Sequence, residues 1–339
     1  MPYTFTKTER NNLKASSFET KSLLYLASNN HKYQDVTVLT IDCFNDVAGM
    51  CDEEKLWDVQ AKGENNLTPR KIGTYLITLY ENYISAFATY FQEFIFFMPQ
   101  LKERYLIDTS LSIYGINNFR DDQREKVVDG LKYVAKLDQN IDINDFLEMV
   151  LFVEDRSRES TYVKGIMKFK SSKLNDDNFY LAIFNEIRDK QTTLKNSNIE
   201  NLIIESPKDV LAFQRHLTNE DLQLFVLNRL VGGDVFSNKN SMPRSYGVFL
   251  KNIEDDLLED HIFEQNAEIS RAFFDKHNQK DFWKLFSAIF KVLSKDKSKK
   301  VSEVIRELDK NLIERTDHMN MDSTRFLIAM VRDGLVSEN

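Results

Sequence analysis

The spacing of apolar positions changes along the chain and divides it in two. Residues 11–28 carry Leu13, Phe18, Leu23, Leu24 and Leu26 among their apolar positions, which predicts a first helix. The β-branched run Val36–Ile41 predicts a strand that passes through Asp42–Asp46 into a second, together filling residues 36–48. Residues 55–62 predict a third. There Trp57, Val59 and Ala61 alternate with Asp58, Gln60 and Lys62, so one face enters a core and the other carries three polar groups. The Asp52-Glu53-Glu54 cluster marks the turn between them. Thr68-Pro69 opens a helix that continues through Ile72, Tyr75, Leu76, Leu79, Tyr83 and Phe87. Phe91–Met98 and Ser110–Tyr114 predict further strands, Asn118 or Asp121 opens a charged helix to Leu137, and Asp145–Val153 closes this half. The order over the first part is αβββαβ.

From Arg156 onward the pattern is helix after helix, with polar joints near residues 171–178, 195–198 and 237–243 and a helix cap at Gly232-Gly233-Asp234. The stripe Phe282, Leu285, Phe286, Ile289 and Phe290 predicts a core-facing helix, and Lys295–Lys300 an exposed basic turn. The expected division is an α/β domain over 1–155 and a helical domain for partner binding or oligomerisation over 156–339.

Composition agrees with long helices and short connections. The chain has 10 Gly and 5 Pro in 339 residues, against roughly 24 and 17 at average usage. Its 25 Phe and 13 Tyr supply a sizeable core. The net charge of −8 and pI near 5.4 have the wrong sign for an independent binder of nucleic acid, so a partner is expected to supply much of any grip on phosphate. Cys43 and Cys51 lack metal-ligand spacing and are expected to be reduced. With no apolar signal core and no run long enough to span a bilayer, a cytoplasmic location is expected. Phosphate-loop, HExxH, GxSxG and GxGxxG motifs are absent from the sequence, and His216, His261, His277 and His318 are scattered without ligand spacing.

One constellation carries chemistry: Asp46, then Gln60-Ala61-Lys62 on the third strand. Mg²⁺ takes oxygen ligands, commonly one or two carboxylates with waters and substrate phosphate. Asp46 offers a carboxylate and Gln60 a neutral oxygen. A cation there would polarise a phosphoryl oxygen and acidify a water, while Lys62 could hold that water or offset growing charge. A neutral ligand weakens cation binding, so the site is expected to need its substrate in place.

The run Val38-Leu39-Thr40-Ile41-Asp42-Cys43-Phe44-Asn45-Asp46-Val47, then Asp58-Val59-Gln60-Ala61-Lys62-Gly63, resembles the double-stranded DNA endonuclease domain of the PD-(D/E)XK superfamily in bacterial anti-phage systems. These are the CBASS effector nucleases and the nuclease subunits of Lamassu systems. Ile143–Phe152 also resembles a family element, a short helix leading into a strand, and the likeness covers roughly residues 10–155. It implies a restriction-endonuclease-like core and catalytic residues Asp46, Gln60 and Lys62. It implies Mg²⁺ or Mn²⁺ on Asp46 and Gln60, with Asp42 and Glu19 as auxiliary metal ligands. Arg70 and Lys71, at a helix start, are candidate DNA contacts. The implied function is an Mg²⁺-dependent DNA endonuclease subunit of a defence complex, activated by a partner or a phage signal. Double-stranded DNA, other complex subunits such as an SMC-like ATPase, and oligomerisation are the implied partners. The alternative is a weak or inactive nuclease-fold subunit acting as a scaffold. Ala61 is smaller than the family's usual residue, and Gly63 and Glu64 depart from its polar or basic pattern, placing an acid near the scissile phosphate.

Overall fold

The computed structural model describes residues 2–5, 17–28, 32–138, 141–166, 177–195, 198–231, 242–251, 253–275, 277 and 279–337. Leu13, the Gly232-Gly233-Asp234 cap and parts of the three expected joints lie outside these residues.

In chain order, the first compact unit holds β1 (Tyr3–Thr4), α1 (Ser17–Ser28), β2 (Val38–Ile41), β3 (Val47–Met50) and β4 (Leu56–Ala61). There follow α2 (Pro69–Tyr75), α3 (Ile77–Tyr83), β5 (Phe91–Pro99), β6 (Ile113–Tyr114), α4 (Asp121–Ala135), α5 (Asn144–Met149), β7 (Val150–Asp155) and α6 (Glu159–Ile166). Most of α7 (Asp177–Leu194), β8 (Ile203–Ile204) and β9 (His216–Thr218) complete it. The main sheet is mixed, with seven strands in the order β6-β7-β5-β4-β3-β2-β9. β4, β5 and β7 run parallel and the remaining neighbours are antiparallel. A separate two-stranded pair joins β1 to β8.

Central parallel strands are buried on both faces, which explains the apolar run Phe94–Met98 in β5. Phe94 and Phe96 join the core beneath α3 and α5, and Phe97 meets Phe18 and Tyr25 of α1 on the other side. The helix expected through Phe87 ends at Tyr83 and is divided into two short helices at Leu76, where ψ is −6° and the amide is shared between the Ile72 and Gly73 carbonyls. α2 packs closely on α4 through two glycines. A Cβ at Gly73 would lie 2.0 Å from the Val127 carbonyl oxygen, and one at Gly130 2.1 Å from that of Arg70. Thr68 caps α2 and Pro69 occupies its first turn, as the pattern predicts.

The sheet unit reaches past the boundary expected at residue 155. Residues 180–219 belong to it, and β9 pairs with β2 at the sheet edge, so a strand lies inside the stretch expected to be helical. The three residues His216–Thr218 are too few to give a periodic signal, and only pairing with β2 makes them a strand.

The second unit comprises residues 167–179 and 220–339. Its helices are most of α8 (Asn219–Val231), α9 (Leu258–Phe274), α10 (Gln279–Lys295), α11 (Val301–Glu307), α12 (Lys310–Glu314) and α13 (Met321–Ser337). The α10 stripe Phe282, Leu285, Phe286 and Ile289 is fully buried, and α13 adds Phe326, Leu327 and Val331. Lys295–Lys300 forms the turn from α10 to α11. Among the described residues no helix is long and apolar enough to cross a membrane.

Candidate functional site

β3 and β4 pair with Val47 opposite Val59 and Ala48 opposite Asp58. Continuing that register by one residue sets Asp46 opposite Gln60. The loop Asp42–Asp46 closes between Ile41 and Val47, the last pair of the β2–β3 ladder. Asp42 starts the loop in the left-handed region, with φ 48°, a conformation that acidic and amide residues tolerate better than most.

The side chains meet as this register requires. Gln60 Nε2 donates to Asp46 Oδ2 at 2.5 Å, and the Ala61 backbone N–H donates to the same oxygen at 2.7 Å. Thr78 on α3 donates to Gln60 Oε1 at 2.6 Å. Among the described residues Asp46 Oδ1 accepts no hydrogen bond, so one carboxylate oxygen remains for a cation or a water. Asp42, Asp46, Gln60 and Thr78 lie on the wall of a cavity of about 1010 Å³. Burial pushes the Asp46 carboxyl up to about 7; the Lys62 charge opposes this, and those of Glu19 and Asp42 reinforce it. Lys62 is half-buried just past β4, its ammonium 5.6 Å from the Tyr75 ring centre.

The polar face of β4 is not solvated; α3 covers it. Asp58 is fully buried, and its Oδ2 accepts from Asn45 and from Asn82, each at 2.7 Å. Burial pushes its carboxyl up to about 7, and the two amides limit the rise. Asn82 also donates to the Phe44 carbonyl and accepts from the Tyr3 hydroxyl at 2.7 Å. These bonds hold the loop that carries Asp46.

The remaining candidates are placed differently. Glu19 is buried on α1, and Asp42 faces the same Lys195, whose Nζ lies 2.6 Å from Glu19 and 3.0 Å from Asp42. Among the described residues no three His, Cys, Asp or Glu side chains stand together as a metal-holding group, so an ion at Asp46 would rest on one carboxylate and neutral oxygens. Arg70 stacks 5.8 Å from the Tyr133 ring, while Lys71 pairs with Glu64. Glu64, the acid expected near the scissile bond, is thereby turned to Lys71 and to the Tyr75 hydroxyl at 2.9 Å. Gly63 has a packing reason: a Cβ there would come 2.9 Å from the Phe18 ring. Cys43 and Cys51 are free and buried.

An ion such as Mg²⁺ at Asp46 would require Gln60 to turn. Gln60 now offers its amide nitrogen to Asp46, but half a turn of the amide exchanges nitrogen and oxygen. The Thr78 hydroxyl can accept as readily as it donates, so both orientations keep a partner there. Sequence reading missed Thr78, Asn45, Asn82, Lys195 and Arg215. Asn45 beside Asp46 was the only one with a visible signal; the others are set by distant segments folding onto the strand. Comparison with family models, with curated proteins and with solved structures returns no match for this chain, so the site is interpreted from its own geometry.

Proposed function

We propose that the sheet unit is a restriction-endonuclease-like domain of the PD-(D/E)XK type, and that the chain is a metal-dependent DNA endonuclease subunit. The observation that carries this is the meeting of Asp46 and Gln60 across β3 and β4, with Lys62 two residues further on and close enough for its charge to act on Asp46. The order of helix, three strands, helices and strand over residues 17–99 supports this reading. Asp46 and Gln60 would hold Mg²⁺ or Mn²⁺, which supplies charge stabilisation at phosphorus and an acidified water. Lys62 orients that water or donates to a phosphoryl oxygen. The acidic chain and the Glu64–Lys71 pair argue for a partner that brings DNA to the site. A cytoplasmic complex with other defence subunits, an SMC-like ATPase among them, accords with that dependence.

The test is degradation of supercoiled plasmid with Mg²⁺ or Mn²⁺, with neighbouring gene products added. Wild type is expected to cut, and Lys62→Ala and Asp46→Asn to lose cutting at least a hundredfold while remaining folded. Equal cutting by wild type and Lys62→Ala removes the nuclease assignment. Unchanged complex assembly with no cutting by any of them favours the scaffold reading.

A further inference from the structure

Lys195 follows α7 directly and reaches two acids from distant parts of the sheet unit. Its ammonium lies 2.6 Å from Glu19 on α1 and 3.0 Å from Asp42 in the β2–β3 loop, and all three side chains are largely buried. Arg215 fixes the arrangement from the backbone side. It donates to the Asp42 carbonyl at 2.9 Å and to the Lys195 carbonyl at 2.7 Å, and its own carbonyl receives the Ile41 amide at 2.8 Å. Both acids are near enough to raise Asp46.

We propose that the Lys195 ammonium is the built-in second cation of this centre, seated between Glu19 and Asp42 where a second divalent ion would otherwise bind. The site therefore exchanges a single ion, at Asp46. This rests on the metal reading of Asp46, but the Lys195 seat can be tested separately.

An ammonium is a compact charge with three donors, suited to bridging two carboxylates that would otherwise repel each other. A divalent ion would meet the same oxygens at shorter range, about 2.0–2.6 Å. The carboxylates would need to draw in only slightly once the lysine is gone. Because Lys195 is tethered to the chain, its single charge cannot be washed out or exchanged.

The experiment counts Mn²⁺ bound per full-length chain from the loss of free-ion electron paramagnetic resonance signal. Wild type, Lys195→Gln and Lys195→Met are compared, each also carrying Asp46→Asn. Each Lys195 variant is expected to bind one more ion than its Lys195 parent, including in the Asp46→Asn background. Adding Asp42→Asn is expected to abolish the gain. The same count with and without Lys195 overturns the proposal, as does a wild type that already places an ion on Glu19 and Asp42. Equal binding by wild type and Asp46→Asn would instead remove the ion from Asp46 and leave the Lys195 comparison to be read alone. Should both Lys195 variants fail to fold, acylation of Lys195 in the wild-type chain decides the matter by mass spectrometry. Protection unchanged by Mn²⁺ is expected, and exposure of Lys195 on adding Mn²⁺ overturns the proposal.

Discussion

Replacing Asp46 with Asn should stabilise the sheet unit while removing its chemistry. The isosteric amide can present an oxygen where Asp46 Oδ2 now accepts from Gln60 and Ala61, so both hydrogen bonds survive. What disappears is a buried negative charge. Its carboxyl is raised from 3.8 to about 7 by burial, and each tenfold change in proton affinity corresponds to about 1.4 kcal/mol. Ionised Asp46 thus costs about 4 kcal/mol relative to a neutral isostere, reduced to about 2–4 kcal/mol by relaxation and water entering the cavity. A raised carboxyl leaves stability intact below the unfolded value and lowers it as pH rises through the folded value. The advantage of Asp46→Asn should be near zero around pH 3.8, partial at pH 5, and full just above pH 7. The two tryptophans make the assay specific, since Trp57 lies in the sheet unit and Trp283 in the helical one. Urea unfolding followed by Trp57 fluorescence in a Trp283→Phe background, in chelator and from pH 5 to 8.5, reports on the first unit alone. Asp46→Asn less stable than the parent at pH 8, or an advantage that does not grow with pH, would refute the electrostatic reasoning.

Three further outcomes follow from other parts of the fold. Gly130→Ala should destabilise the sheet unit by about 1–3 kcal/mol in the same urea assay, because its methyl group would collide with the Arg70 carbonyl at the α2–α4 contact. Glu154→Leu should cost about 2–4 kcal/mol. It strands the Tyr114 hydroxyl and the Leu101 amide and removes the buried carboxylate from Arg156, whose guanidinium retains the carbonyls of Thr109, Ser110 and Leu111. Glu64→Gln should leave the melting temperature unchanged and increase DNA affinity in low-salt fluorescence anisotropy by releasing Lys71; no change in affinity would exclude Lys71 from the DNA contact.

The local elements were legible because each writes its own period. The alternation in β4, the apolar run Phe94–Met98 of β5 and the Thr68-Pro69 start of α2 each follow from a few neighbouring residues, and so does the meeting of Asp46 with Gln60. The break at Leu76 was not legible, since no proline marks it. Lys195 and Arg215 carried no signal either. A lysine and an arginine far beyond the motif look like solvated surface until α7 and β9 bring them to Glu19 and Asp42.

The sequence by itself therefore determined the order of helices and strands over residues 17–99, apart from the break at Leu76, and the residues that could meet across β3 and β4. Side-chain period and register are local properties of a strand, so the chain alone encodes them. Only the tertiary structure decided what surrounds those residues: the α3 cover that buries Asp58 and raises Asp46, the edge strand β9, and the ammonium between the two auxiliary acids. Burial and charge pairing depend on segments from another part of the chain, 18 to 24 residues away for α3 and more than 170 for Lys195 and Arg215, and no local pattern records them.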